Sequence, residues 1–156
     1  TAWMDCCPEP FPLAAGADRR LYYHESGVND GSTIPPGPLN AYIESTPIDM
    51  AEGQSFMFVN RILPDVTFSS STDTRADEKP RVTMTLQAQN FPGSALGTSQ
   101  AATAVRQATF PVEQFTEQVH IRLRGRTVRL RVESNQVNTR WILGTPRINL
   151  RPDGRR

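Results

Sequence analysis

The chain has 156 residues, with 17 Lys and Arg against 16 Asp and Glu, for a net charge of +1. That length holds a core without a disulfide or metal staple, and no apolar run approaches the roughly 18–20 residues of a membrane-spanning helix. No signal-peptide pattern opens the chain, and the expectation is a soluble protein.

The near-neutral total hides an asymmetry. Residues 1–78 carry four Arg against twelve acids, a net −8, and residues 79–156 carry thirteen basic residues against four acids, a net +9. Sixteen of the basic residues are Arg, and Lys79 is the single Lys. Arg is preferred to Lys where planar, paired and partly desolvated contacts form. A chain divided in this way is suited to binding copies of itself, or to binding a polyanion with its basic half.

In chain order, Thr1–Ala17 is irregular and holds the adjacent Cys6 and Cys7. A disulfide between sequence neighbours is strained and rare, so two reduced thiols in a cytosol-assembled protein are expected. Arg19–Glu25 reads as one strand, and Ser26–Pro38 as a loop by its turn residues. Leu39–Ser45 is a strand. Ser55–Phe68 is too long for one flat strand, and Pro64 marks a bend or an edge. Ser69–Pro80 and Pro92–Ala104 read as mobile loops. Between them Val82, Met84, Leu86 and Ala88 alternate with Thr83, Thr85, Gln87 and Gln89, the period of a half-buried strand.

Val119, Ile121 and Leu123 then alternate with His120, Arg122 and Arg124. After Gly125, Val128, Leu130 and Val132 alternate with Arg129, Arg131 and Glu133. Two such runs around a short Gly turn predict a β-hairpin with one apolar and one arginine face. Arg140–Leu143 and Arg147–Leu150 add short strands before the tail RPDGRR, and Trp141 is expected to be buried. About eight short strands with little or no helix predict an all-β fold, an antiparallel sandwich or a jelly-roll-like barrel. The predicted organisation is an irregular arm over 1–38, with one strand, and a β-sandwich domain over 39–156.

No catalytic motif is present: no nucleophile elbow, P-loop, dinucleotide fingerprint or paired-histidine zinc signature occurs. His24 and His120 have no partner that spacing places beside them. Asp49, Glu52 and Asp65 have no reason to share a cleft as a hydrolytic carboxylate pair. Gly27, Asn29, Asp30 and Gly31 lack the ligand order of a calcium loop, and Cys6–Cys7 with two distant histidines is a poor zinc set. The expectation is a protein without enzymatic activity, cofactor or metal. The arginines are different in kind. Arg122, Arg124, Arg126, Arg129 and Arg131, with Arg155 and Arg156 of the tail, are the candidate subunit-interface residues, because like charges on neighbouring strands repel and require anionic company. Partner carboxylates are favoured over nucleic acid, since no aromatic residues interleave with the arginines as single-strand binders require.

Several segments carry a family resemblance: YYHESGVNDG, AYIES with PIDMAEGQSFMFVNRILPD, VTMTLQAQNFPGS, FPVEQFTEQVHIRLRGRTVRLRVES and WILGTPRINLRPDGRR. They resemble the C-terminal part of the tail tube, or nozzle, proteins of short-tailed bacteriophages, and the R-G-R and R-P-D-G-R-R runs are the most specific parts. The chain departs from that family in length, being several times shorter. The resemblance implies a virion structural protein, assembled in the host cytoplasm, and implies that the arm over 1–38 is the end of an upstream domain. Its subunits would form a ring, commonly a hexamer, between the head adaptor and the tail tip. Adaptor and fibre proteins would be its neighbours, and DNA would pass through without sequence-specific binding or membrane insertion by this chain. The alternative is a carbohydrate- or receptor-binding β-sandwich module of a phage tail.

Overall fold

The structure is a computed structural model that describes residues 2–5, 10–50, 53–69, 79–90 and 106–154. Cys6, Cys7, Glu52, Arg155, Arg156, all of Pro92–Ala104 and most of Ser69–Pro80 lie outside the described residues.

Ten strands build the sandwich expected over 39–156: β6 (Ala41–Glu44), β7 (Ile48–Asp49), β8 (Met57–Leu63), β9 (Val66–Phe68), β10 (Arg81–Gln89), β11 (Arg106–Glu113), β12 (Val119–Gly125), β13 (Thr127–Ser134), β14 (Trp141–Leu143) and β15 (Arg147–Pro152). One layer runs β11-β10-β13, with β6 and β7 sharing the far edge of β13; the other runs β12-β8-β15; and β9 pairs with β14. Every pairing is antiparallel. The all-β sandwich reading holds. The break at Pro64 falls between β8 and β9, where Pro cannot donate to a ladder.

The two layers meet through the side chains that alternate inward. Val82, Met84, Leu86, Val128, Leu130 and Val132 come from the first layer, and Met57, Val59, Ile62 and Leu123 from the second; together they belong to one buried cluster. Fully burying each such side chain stabilises by roughly 1.5–3 kcal/mol, so this set outweighs any single polar contact described below. The alternation read for β10 is correct, with a refinement. Thr85 and Gln89, on the opposite face, are buried too, because β10 is flanked on both sides. Thr85 Oγ1 lies 3.1 Å from Thr109 Oγ1, and Thr127 Oγ1 donates to Gln89 Oε1 at 3.2 Å.

The predicted hairpin over Val119–Glu133 does not form. β12 pairs with β8, whereas β13 pairs with β10, β6 and β7. The strands are consecutive but lie in different layers, and the chain crosses at Gly125–Arg126. Gly125 is buried, and a Cβ there would stand 2.7 Å from Ala88 Cβ and 3.0 Å from Gln89 O. Arg126 N donates to Gln89 O at 2.8 Å. Gly therefore serves close passage over the end of β10 rather than a two-residue turn. Alternation alone cannot separate a hairpin from such a corner, because both place apolar side chains on one side of each strand.

The segment before the sandwich is more ordered than one strand. β1 (Trp3–Met4), β2 (Leu13–Ala15) and β3 (Leu21–Tyr23) form a three-stranded antiparallel sheet, and β4 (Asn29–Asp30) pairs with β5 (Gly37–Pro38). Strands of two or three residues are too short to show a period, so only Arg19–Glu25 was legible. Asn29 ties this segment to the sandwich: its Nδ2 donates to Asn138 Oδ1 and its Oδ1 accepts from Asn138 N, both at 2.6 Å.

Candidate functional site: two arginine faces of opposite character

Because β12 and β13 belong to different layers, their arginines do not share a face. Arg129 and Arg131 point out of the first layer, and Arg122 and Arg124 out of the second.

On the first layer the cross-strand register sets Glu44 opposite Arg131 and Arg131 opposite Thr85. Arg129 Nη1 donates to Glu44 Oε1 at 2.6 Å, and Arg131 Nη1 donates to Glu44 Oε2 at 3.1 Å. Arg131 also reaches Glu133 Oε2, through Nε at 2.9 Å and Nη2 at 2.8 Å, and its Cζ stands 4.1 Å over the Tyr42 ring. The hydrogen bond from Arg131, then that from Arg129, holds the Glu44 carboxyl below its ordinary value. The same pairing, Glu133 first and Glu44 second, raises the Arg131 guanidinium. The anionic company expected for these arginines comes from this chain. The acidic and basic halves thus interleave in one sheet rather than lying on separate sides.

The second layer is less neutralised. Strands β8, β12 and β15 contain Arg61, Arg122, Arg124, Arg147 and Arg151 and no Asp or Glu. Their register places Arg124, Phe58 and Arg151 in one outward row, and His120, Arg61 and Asn149 in another. Irregularities between His120 and Leu123 on β12, and between Asn149 and Leu150 on β15, both fall at Asn60. There a bulge turns Arg61 outward while Val59 and Ile62 both stay in the core. Arg61 Nη1 donates weakly to Gln118 Oε1 at 3.4 Å. Arg122, Arg147 and Arg151 are exposed and have no ion-pair partner among the described residues.

The R-G-R corner and the C-terminal tail meet at one end of this layer. Arg124 Nε donates to Asp153 Oδ2, and Arg124 Nη2 donates to Asp153 O at 3.2 Å. The Arg124 and Arg126 guanidinium carbons lie 4.1 Å and 4.9 Å from the centroid of Phe56, and Arg126 Nη1 donates to Gly53 O at 3.4 Å. Main-chain bonds of 2.8 Å from Phe56 N to Gly154 O, and from Asp153 N to Phe56 O, extend the pairing beyond β15. One aromatic ring between two cations is a favourable electrostatic arrangement. Sequence reasoning did not single out Phe56, Glu44, Arg61, Arg147 or Arg151. Glu44 and Arg61 sit far in sequence from the arginine run, and only strand register brings them to it.

Of the other candidates, His24, Asp65, Asn29 and Asp30 have structural partners. His24 packs its ring 4.9 Å from Trp3, and His120 is exposed beside Arg61. Asp49 lies on β7. Asp65 Oδ2 accepts from Thr145 N at 2.7 Å while Asp65 O accepts from Gly144 N at 2.7 Å. A side chain at Gly144 would collide with that carboxylate. Asn29 is spent on Asn138, and Asp30 Oδ1 accepts from Ser32 N at 2.9 Å. Among the described residues no three His, Cys, Asp or Glu side chains gather where a metal ion would sit, and no helix is long and apolar enough to cross a membrane. Trp141, expected to be buried, is half-buried; it packs on the core and lines an open groove with Tyr42, Ile43, Leu39 and Arg140. No protein-family model and no curated protein sequence matches the chain.

Proposed function

We propose that the chain is a structural subunit of a short-tailed phage tail, assembling with copies of itself into a ring that conducts DNA. The observation that carries this reading is the arginine face of β8, β12 and β15, where among the described residues one ion pair, Arg124 with Asp153, is formed, set against the self-neutralised face of β13 and β6. Arg122, Arg147 and Arg151 of that sheet have no ion-pair partner among the described residues, and like charges on neighbouring strands repel. A subunit that buries such a face against an anionic surface recovers that cost and gains orientation. The reading is also supported by the resemblance to nozzle proteins; of its two most specific runs, R-G-R and the Asp153–Gly154 part of R-P-D-G-R-R come together around Phe56. The protein on this reading has no catalytic role.

The carbohydrate- or receptor-binding alternative has the Trp141–Tyr42 groove in its favour. One face of the Tyr42 ring is already covered by Arg131, which halves the stacking surface that pyranose recognition uses. Negative-stain imaging of the purified protein separates the readings. Closed rings with a central opening are expected. A protein that stays monomeric at every concentration, while retaining glycans on an array, would instead select the alternative.

A further inference from the structure

Between β11 and β12 the chain makes a short turn, Glu113–Glu117, whose tip is Phe115. The ring is 87% exposed and stands between two exposed carboxylates, Glu113 and Glu117. The turn is fixed from within: Glu113 N donates to Thr116 Oγ1 and Thr116 N donates to Glu113 O, both at 3.0 Å. An aromatic side chain held out in water on a preorganised turn loses little conformational freedom on docking, and buried aromatics dominate interface energetics.

We infer that this turn docks on the arginine face of β8, β12 and β15 in the next copy of the chain, which makes the contact head-to-tail. The inference rests on the ring reading above and names its contact. Charge argues for it, because the turn carries two carboxylates, and Arg122, Arg147 and Arg151 of the receiving sheet have no ion-pair partner among the described residues. Apolar matching argues for it as well. Half-buried Phe58 sits between Arg124 and Arg151 in the outward row, so the face offers an aromatic edge and guanidinium planes to an incoming ring. A phosphodiester backbone would satisfy the charge but leave both phenylalanines in water. Position argues that the contact is between copies. The turn leads directly into Val119 at one end of β12, and Arg124 lies at the other end, roughly 20 Å away at the usual rise of a strand. A subunit cannot fold its own turn onto that row. Two different patches at opposite ends of one sheet form a heterologous contact, which closes into a ring when the rotation per subunit permits.

Two charge-reversed proteins test this. One carries Glu113→Arg with Glu117→Arg, and the other carries Arg122→Glu with Arg151→Glu; all four positions are exposed, and circular dichroism confirms that each variant folds. In the first, a basic turn faces a basic sheet; in the second, an acidic turn faces a less basic sheet. By mass photometry each variant alone is expected to lose assembly, and an equimolar mixture to regain it, because the acidic turn of one then meets the unchanged arginine sheet of the other, and the basic turn meets the two introduced carboxylates. Phe115→Ala should reduce assembly without affecting folding. Variants that assemble singly as the unmodified chain does, or that remain apart when mixed, overturn the docking mode while leaving the ring intact. Absence of assembly in the unmodified chain overturns the ring reading itself. Loss of binding to a random 20-base-pair duplex in the Arg122→Glu, Arg151→Glu protein, with assembly retained, assigns the face to phosphate instead.

Discussion

Arg129 and Glu44 come from the two oppositely charged halves of the chain and meet on one sheet face, Nη1 to Oε1, at 2.6 Å. Glu44 uses its second oxygen for Arg131, so one carboxylate holds two neighbouring cations that would otherwise repel across β13. The fold thereby consumes part of the arginine excess that the sequence displays.

That arrangement predicts an acid-sensitive contribution to stability. Arg131 and Arg129 depress the Glu44 carboxyl below its unfolded value near 4.5. A carboxylate depressed in the folded state contributes fully above the unfolded value, and its contribution is lost as pH falls through the folded value. Glu44→Gln should lower stability at neutral pH by about 1 kcal/mol, a modest figure for a partly solvated pair. It should also flatten the acid limb of the denaturation curve below about pH 4.5. Urea titrations across that range check both.

Charge reversal distinguishes the two faces. Arg129→Glu sets two carboxylates against each other within the chain and should lower the melting temperature, and adding Glu44→Arg should restore it. Arg122→Glu, on an exposed residue outside any described ion pair, should leave monomer stability within about 0.5 kcal/mol. Equal thermal effects of the two reversals would mean that the faces are not distinct.

Gly125 is predicted to be intolerant of any side chain. A methyl group placed 2.7 Å from Ala88 Cβ and 3.0 Å from Gln89 O forces the crossing away from β10, and overpacking of this kind costs about 1–3 kcal/mol. Gly31→Ala is the control, since nothing lies within 4 Å of the added carbon. Calorimetry on the two variants should separate them by several degrees.

Phe56 should hold the tail in place. Phe56→Ala removes the ring that Arg124 and Arg126 flank and weakens the neighbouring pairing with Asp153 and Gly154. Hydrogen exchange at the amides of Phe56 and Asp153, each bonded to a main-chain oxygen at 2.8 Å, should accelerate, while the buried amides of β10 keep their protection. Unchanged exchange at both sites would show that main-chain pairing alone fixes the tail.

The sequence made the strands legible wherever burial on one side imposed period two. β10, β12 and β13 fell where Val82–Ala88, Val119–Leu123 and Val128–Val132 alternate, and Pro64 marked the end of β8. Pairing was less accessible. The R-G-R corner looks like a hairpin because a sharp turn and a layer crossing use the same residues, and only the packing of Gly125 on Ala88 tells them apart. The arginines stand out as a group in the sequence, yet their division between two faces depends on Glu44, Arg61, Arg147 and Arg151, which register alone brings beside them. The short strands β1, β2, β4 and β5 carry no period to read.

The crossing at Gly125–Arg126 also makes the pairing of the adjoining strands long-range. Because β12 and β13 do not pair with each other, β12 closes on β8 and β13 on β10 and β6, all distant in sequence. Met57 must find both Gly125 and Pro152, and Val132 must find both Met84 and Ile43. Long-range pairing of this kind requires loop closure before any compensating contact forms, which places such topologies among the slower folders, in milliseconds to seconds. During synthesis β8 therefore keeps an open edge until Arg147–Pro152 has left the ribosome. The arginine face does not exist as a surface before then.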